Sequence, residues 1–224
     1  MAADRMAAAR LALGATDETA PAIEAHTRDL LDALCAHFQR SPYLLGNRMS
    51  MADCALMAPI YGHFFNDIVS RRLLLETAAP VVGWIERCNY PGAATQGEWE
   101  TGDDLTPTLR AVLASMGRDA APVILDTVRH VEAWADGQDS SGESIEPPRA
   151  VGRCRSELRG IAFERMAQPY CLWMIERCLG EYRRLEPGSR SLVDTALAGT
   201  GWEALLEYRP RHHAHKHGFA LRID

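Results

Sequence analysis

The stretch Ser41-Pro-Tyr-Leu-Leu-Gly-Asn-Arg-Met-Ser50-Met-Ala-Asp53 is the most informative part of the sequence for the fold. Ser50 suits the N-cap position of a helix, and Asp53 would then occupy the third helical position. A serine and an acid at this spacing satisfy free backbone amides and place a negative charge at the positive end of the helix. The stretch therefore predicts a helix that begins at Met51.

Helical patterns continue on both sides of this start. An amphipathic helix precedes it, because apolar residues recur there every three or four positions up to Phe38, and Ser41-Pro42 ends that helix. The helix from Met51 to about Phe65 is apolar on almost every side, which predicts a helix buried within a bundle and kinked at Pro59. A further helix near Pro80 carries an apolar stripe formed by Val81, Trp84, Ile85 and Cys88.

The remainder of the chain predicts a second helical region after a linker. Residues 91–104 are rich in glycine and acids, so we expect two domains, residues 1–91 and residues 105–224. In the second domain we expect helices over 106–116, 123–134, 153–167 and 170–185, the first ended by Gly117. No segment shows a convincing alternation of apolar and polar residues. The predicted fold class is all-α, a helical bundle with a helical C-terminal extension.

Composition excludes several classes of function. The 224 residues carry a net charge of -6, which gives no electrostatic basis for binding nucleic acid. The N-terminal residues show no apolar stretch typical of an export signal or a membrane span, so we expect no membrane association. The six cysteines form no C-x-x-C motif, which favours reduced thiols and a cytoplasmic location.

Two groups of residues are candidates for chemistry. His63 could act as an acid or base near neutral pH, although a lone histidine is more often packed and hydrogen-bonded. Four histidines (His212, His213, His215, His217) resemble a metal-binding tract, but the neighbouring Arg and Lys would repel a cation. We therefore expect a basic tail or packed strap and no metal. No catalytic motif stands out, and Ser50 and Asp53 are expected to act in capping the helix.

The run from Ser41 through Ser50-Met51-Ala52-Asp53 to Ala79-Pro80-Val81-Val82-Gly83-Trp84 resembles the C-terminal helical domain of glutathione S-transferases. The resemblance covers roughly residues 20–90. It implies glutathione as co-substrate, a small hydrophobic electrophile, and a pocket to which Tyr61 and Phe64, beside His63, would contribute. A homodimer or a thioredoxin-like partner domain is a further implication.

In that family the thioredoxin-like N-terminal domain activates the glutathione thiol, and its features have no counterpart in this sequence. We therefore expect that half to be absent and either supplied elsewhere or lost. Glutathione conjugation would depend on it. The alternative is a non-catalytic helical module that serves in binding or dimerisation.

Overall fold

The computed structural model describes residues 8–90, 92, 95–102, 104–138 and 144–224. The chain divides into two compact units. The first unit contains the residues up to His26 together with Met116–Asp224, and the second unit contains Thr27–Ser115. The division into domains at residues 1–91 and 105–224 stays a prediction.

The second unit is built largely from helices. They are α1 (Ala20–Phe38), which belongs to this unit from Thr27 onward, α2 (Met51–Pro59), a π-helical turn (Ile60–Phe65), α3 (Ile68–Thr77) and α4 (Ala79–Asn89). In its core the rings of Phe38 and Trp84 stack with their centroids 4.9 Å apart. Trp84 is fully buried, as are Leu34 and Leu74. The apolar stripes of α1 and α4 thus form the core that their spacing predicts.

Helix α2 does not occupy the buried position that its apolar sequence predicts. Only Asp53 is buried within it, whereas Met51, Ala52 and Cys54 are exposed. The prediction of a helix buried within the bundle is therefore wrong for this chain. The single predicted helix also changes form after Pro59, since the next turn is π-helical.

The first unit combines helices with two β-hairpins. Its elements are the C-terminal part of α5 (Pro107–Asp136), β1 (Arg153–Leu158), β2 (Ile161–Met166), α6 (Tyr170–Arg184), α7 (Pro187–Leu197), α8 (Glu203–Glu207), β3 (Ala214–His217) and β4 (Ala220–Ile223). Strands β1 and β2 pair antiparallel, as do β3 and β4. The core of this unit includes Val128 and Val131 of α5 and Leu172 and Leu179 of α6.

The two helices predicted on either side of Gly117 are one continuous helix. A side chain at Gly117 would approach the carbonyl oxygen of Thr200 to 2.3 Å, and Trp202 lies almost as close. Glycine is present because another segment of the chain passes against the helix here. The prediction that Gly117 ends a helix is therefore wrong.

The strands correct the all-α prediction, because the protein is mainly helical with two small sheets. Residues 153–167, predicted as a helix, form the hairpin of β1 and β2, whose strands are joined by Arg159 and Gly160. Both turn residues have positive φ, 52° and 83°, as a tight two-residue hairpin turn requires. Along β1, Cys154 and Ser156 are buried between exposed charged residues. This alternation was the available signal for a strand.

Candidate functional site

The carboxylate of Asp53 is the central polar group of the second unit. It is fully buried and accepts hydrogen bonds from the Ser50 amide at 2.8 Å and the Ser50 hydroxyl at 2.7 Å. The Leu44 amide and the Trp84 indole each donate to the other carboxylate oxygen at 2.9 Å. The Asp53 amide in turn donates to the Ser50 hydroxyl, which completes a capping box at the start of α2.

This network ties three parts of the second unit to one carboxylate. It joins the start of α2, the loop that contains Leu44, and Trp84 of α4. The Ser41 hydroxyl further braces the loop by donating to the carbonyl oxygens of Tyr43 and Gly46 at 2.7 and 3.0 Å. Each oxygen of the Asp53 carboxylate accepts two hydrogen bonds from the protein. The arrangement therefore stabilises the fold and leaves neither oxygen available for proton transfer to a ligand.

The proposed pocket residues lie on the π-helical turn that follows α2. Tyr61 and Phe64 are half-buried, and His63 is exposed. The Tyr61 ring packs against that of Phe65, with their centroids 6.0 Å apart. A π-helical turn is often found at functional positions. The role of Tyr61, His63 and Phe64 in a substrate pocket stays a prediction.

The C-terminal histidines lie in and beside the hairpin of β3 and β4, and they face different carboxylates. His212 Nε2 lies 2.8 Å from Asp136, His213 Nδ1 lies 3.1 Å from Glu176, and His215 lies 3.3 Å from Asp224. The hydrogen bond from His212 is the main reason that the pKa of Asp136 is lowered. Across the described ranges, no group of three or more His, Cys, Asp or Glu residues is arranged to hold a metal ion.

Sequence reasoning missed a cavity of about 260 Å³ in the first unit, which we call the His26 cavity. Its walls come from the loop at Leu13 and Gly14, from α1, from α5 and from the β1–β2 hairpin. Apolar side chains make up most of the lining, among them Ile23, Val123 and Phe163. No local motif predicts such a site, because its residues come from three separate parts of the sequence; His26 and Asp119, for example, are 93 positions apart.

The polar side of the His26 cavity is organised around Asp119. One oxygen of this nearly buried carboxylate lies 2.8 Å from His26 Nδ1 and accepts from Arg159 Nε and Nη2 at 2.9 and 2.7 Å. Burial alone would raise the pKa of Asp119, but the hydrogen bonds from Arg159 and His26 outweigh it and lower the pKa. Asp119 is thus an anion with its charge compensated, and it orients the His26 ring.

Arg165 also lines the His26 cavity, and its environment differs from that of Arg159. Its Nε atom is buried and has no hydrogen-bond partner among the described residues. A buried guanidinium nitrogen without an acceptor is unusual, since most buried polar atoms are paired. Arg165 Nε is therefore covered by the protein itself, and its hydrogen bonding is incomplete within the described part of the chain.

Three partly buried thiols, those of Cys35, Cys88 and Cys171, are poor nucleophiles. Burial raises the pKa of Cys35 and Cys171, and it raises that of Cys88 to about 12, with the nearby Asp53 charge adding to the effect. A thiol reacts as its thiolate, so a raised pKa suppresses reaction near neutral pH. These three cysteines therefore offer no thiolate for catalysis.

The comparison with protein families identifies the first part of the chain. Residues 3–90 match the family model described as glutathione S-transferase, C-terminal domain. No curated protein and no solved structure matches the chain. Among the described helices, none has the length and apolar character needed to cross a bilayer. The segment of residues 3–90 therefore belongs to the glutathione S-transferase C-terminal domain family.

Proposed function

We propose that the chain is the helical part of a glutathione S-transferase-type protein. In this proposal it takes part in conjugating glutathione to a small apolar electrophile once a thioredoxin-like half covers helix α2. The family match of residues 3–90 supports the type of protein. The chemistry would be attack of the glutathione thiolate on an electrophilic carbon, with loss of the leaving group and formation of a carbon–sulfur bond.

The exposure of α2 is the observation that carries this proposal. A helix that is apolar on nearly every side is normally buried, yet Met51 is 89% exposed. At the start of α3, Ile68 and Val69 are 87% and 80% exposed. Apolar side chains that are exposed in this way mark a surface that a partner covers. The family to which residues 3–90 belong supplies the class of partner, a thioredoxin-like domain.

The raised pKa values of three thiols support the proposal that the partner domain activates glutathione and that this chain binds the electrophile. Because burial raises the pKa of Cys35, Cys88 and Cys171, none of the three can replace the glutathione thiolate. The donors that stabilise the glutathione thiolate would come from the thioredoxin-like half. The helical part would contribute the binding site for the electrophile, for which Tyr61, His63 and Phe64 are our candidates.

The alternative is a non-catalytic module for binding or dimerisation, and the same exposed residues favour it. A second copy of the chain could bury Met51, Ile68 and Val69, just as a thioredoxin-like domain could. The two proposals differ in what the surface recognises. Only the first predicts turnover that depends on glutathione.

The test mixes the purified chain with a separately purified thioredoxin-like domain from a glutathione S-transferase. Turnover of chlorodinitrobenzene with glutathione is measured for the chain, for the domain and for the mixture. We expect turnover in the mixture beyond the sum of the separate components, and its loss in the Met51→Lys variant. Glu86→Arg, a charge change at an exposed position of α4, should leave this gain intact.

Sedimentation velocity of the chain alone completes the test. A dimer that Met51→Lys dissociates, combined with no gain in turnover from the mixture, would support the dimerisation module and overturn the first proposal. Equal turnover by wild type and Met51→Lys in the mixture would also overturn it, because the exposed surface of α2 would then play no part.

A further inference from the structure

We infer that the His26 cavity binds a small alkylphenol, a neutral molecule with an apolar body whose single hydroxyl group donates a hydrogen bond to Nε2 of His26. The inference does not depend on glutathione conjugation, because the cavity lies within the first unit and is lined partly by residues beyond the segment of residues 3–90. It rests on the accessible ring nitrogen of His26, on the carboxylate that orients the ring, and on the apolar walls.

Asp119 decides which nitrogen of the neutral His26 ring carries the proton. One oxygen of this carboxylate lies 2.8 Å from His26 Nδ1 and also accepts from Arg159 at 2.7 and 2.9 Å. The guanidinium group holds Asp119 in its ionised form, and an ionised carboxylate only accepts hydrogen bonds. Nδ1 is therefore the donor, which leaves Nε2 of the neutral ring with a lone pair and no proton.

The other ring nitrogen, His26 Nε2, is the group that a ligand can reach. It makes no hydrogen bond with the described residues, and it is accessible, whereas Arg165 Nε is covered by protein. The His26 side chain lines the cavity and is 24% exposed, while the Asp119 side chain is only 5% exposed. Because Nδ1 faces this covered carboxylate, the edge of the ring that carries Nε2 is the one that meets the ligand.

An acceptor at the wall of an apolar cavity selects a ligand with a hydrogen-bond donor. Linked hydrogen bonds polarise one another, so donation from Nδ1 to Asp119 strengthens Nε2 as an acceptor. A ligand without a donor would displace water from Nε2 and leave its lone pair unsatisfied, at a cost in affinity. A carboxylate cannot donate, and the positive charges of Arg159 and Arg165 disfavour an ammonium group. A hydroxyl group meets both conditions.

The apolar walls select the body of the ligand. They consist of aliphatic side chains and one aromatic ring, namely Leu13, Ile23, Val123, Ile124, Leu158 and Phe163. The Phe163 ring lies close to the loop, since a Cβ atom at Gly14 would be 2.5 Å from it. Hydrocarbon placed against these side chains leaves water, which favours binding. The ligand is thus apolar apart from the one group that faces His26.

The size of the cavity limits the size of the ligand. Its volume is about 260 Å³. An apolar cavity of roughly 150 Å³ in another protein is known to hold benzene. The His26 cavity therefore has room for a benzene ring with a short alkyl chain, whereas a long-chain lipid or a tripeptide such as glutathione exceeds it.

The probe is para-propylphenol, and its isomer para-ethylanisole is the matched control ligand. The isomers have the same atomic composition, but the anisole oxygen carries a methyl group and cannot donate. Binding to the full chain is measured by isothermal titration calorimetry at pH 8, where a phenol is not ionised. We expect the phenol to bind about three- to tenfold more tightly, the contribution of one hydrogen bond. Equal affinity, or tighter binding of the anisole, would overturn the inference.

His26→Phe keeps an aromatic ring and removes the acceptor, so it should abolish the preference for the phenol. His217→Phe is the matched control, because His217 is exposed on β3 and does not line this cavity. It should keep the wild-type preference. A preference that persists in His26→Phe, or that is lost equally in both variants, would overturn the inference, since recognition would then not depend on His26.

A measurement on the wild type keeps the inference testable if His26→Phe fails to fold, which circular dichroism would show. Long-range proton–nitrogen NMR correlations report which nitrogen of an imidazole carries the proton. We expect the proton on Nδ1 of His26, and a shift of the Nε2 resonance on addition of para-propylphenol but not of para-ethylanisole. A proton on Nε2 alone, or the same response to both ligands, would overturn the inference.

Discussion

The indole Nε1 of Trp84 donates a hydrogen bond to the buried carboxylate of Asp53 over 2.9 Å. The two residues are 31 positions apart, and their pairing links the capped start of α2 to the most deeply buried aromatic residue of α4. A capping residue ordinarily serves its own helix. Here the same carboxylate also holds a second helix and the loop at Leu44.

Replacing Asp53 by alanine should therefore cost more than the loss of an ordinary cap. Four donor groups would lose their acceptor, two of them buried and two partly buried, and we expect a loss of about 3 kcal/mol or more in the free energy of unfolding. Asp67→Ala is the control, because Asp67 caps α3 at an exposed position. Its loss should cost about 1 kcal/mol. Urea denaturation measures the loss of unfolding free energy in both variants. Equal losses would contradict the conclusion that Asp53 stabilises more than its own helix.

Buried His37 should make stability fall as the pH drops. Burial lowers its pKa, although contacts with the Tyr43 and Leu44 backbone oppose the shift. The unfolded chain therefore takes up the proton first, near pH 6.5, and stability is lost from there down to the folded pKa by at most about 1.4 kcal/mol per pH unit. In the folded protein, the Thr108 hydroxyl lies 3.0 Å from the ring.

His37→Gln should reduce this loss of stability between pH 7 and pH 5. His63→Gln, at an exposed position, is the control and should retain the wild-type pH profile. The measurement is the free energy of unfolding in urea at each pH. A profile for His37→Gln that parallels the wild type would show that His37 does not carry the effect.

Gly117→Ala should destabilise the protein even though alanine is the better helix former. Alanine in a helix interior is favoured over glycine by about 1 kcal/mol. A Cβ atom at this position would lie 2.3 Å from the Thr200 carbonyl oxygen, so the chain must shift, at a cost of about 1–3 kcal/mol. Gly180→Ala in α6 is the control, since its Cβ would meet nothing, and it should stabilise the protein. Equal stabilisation by both changes, as measured by thermal unfolding, would rule out the close approach.

The thiols should differ sharply in reactivity towards iodoacetamide at pH 8. With a pKa of about 12, Cys88 is ionised to the thiolate in roughly one molecule in 10,000 at that pH. Cys54 is exposed and should be alkylated first. Peptide mass spectrometry over time would measure both rates. Comparable rates at the two positions would contradict the protected state of Cys88, and denatured protein should show the difference abolished.

Local interactions allowed several helices of the fold to be predicted from the sequence. The serine and acid of Ser50 and Asp53 specify the start of α2 through backbone amides only three residues away, and the spacing of Val81, Trp84 and Ile85 specifies the buried face of α4. Such signals act within one or two turns of helix, so a sequence displays them directly. The same local order of motifs carries the resemblance over roughly residues 20–90 to the family whose model matches residues 3–90.

The errors arose where distant contacts override local preference. Gly117 reads as a helix stop, but it is there because Thr200 and Trp202 approach the helix. The sequence signal for the β1–β2 hairpin is weak, since it consists only of Cys154 and Ser156 alternating with charged residues. The strand forms because β1 pairs with β2, a segment that the local pattern does not reveal. Periodicity also could not show that α2 is exposed, because it reports apolar character and not what covers it.

The sequence by itself determined the capped helices and the family of residues 3–90, since both depend on neighbours within a few turns. Only the tertiary structure brought His26, Asp119 and Arg165 to one cavity, and only it showed that Asp119 is compensated while Arg165 Nε has no acceptor among the described residues. The physical reason is that charge pairing and burial depend on distances in space, and residues far apart in the sequence, such as His26 and Asp119 at 93 positions, show no local signal of them.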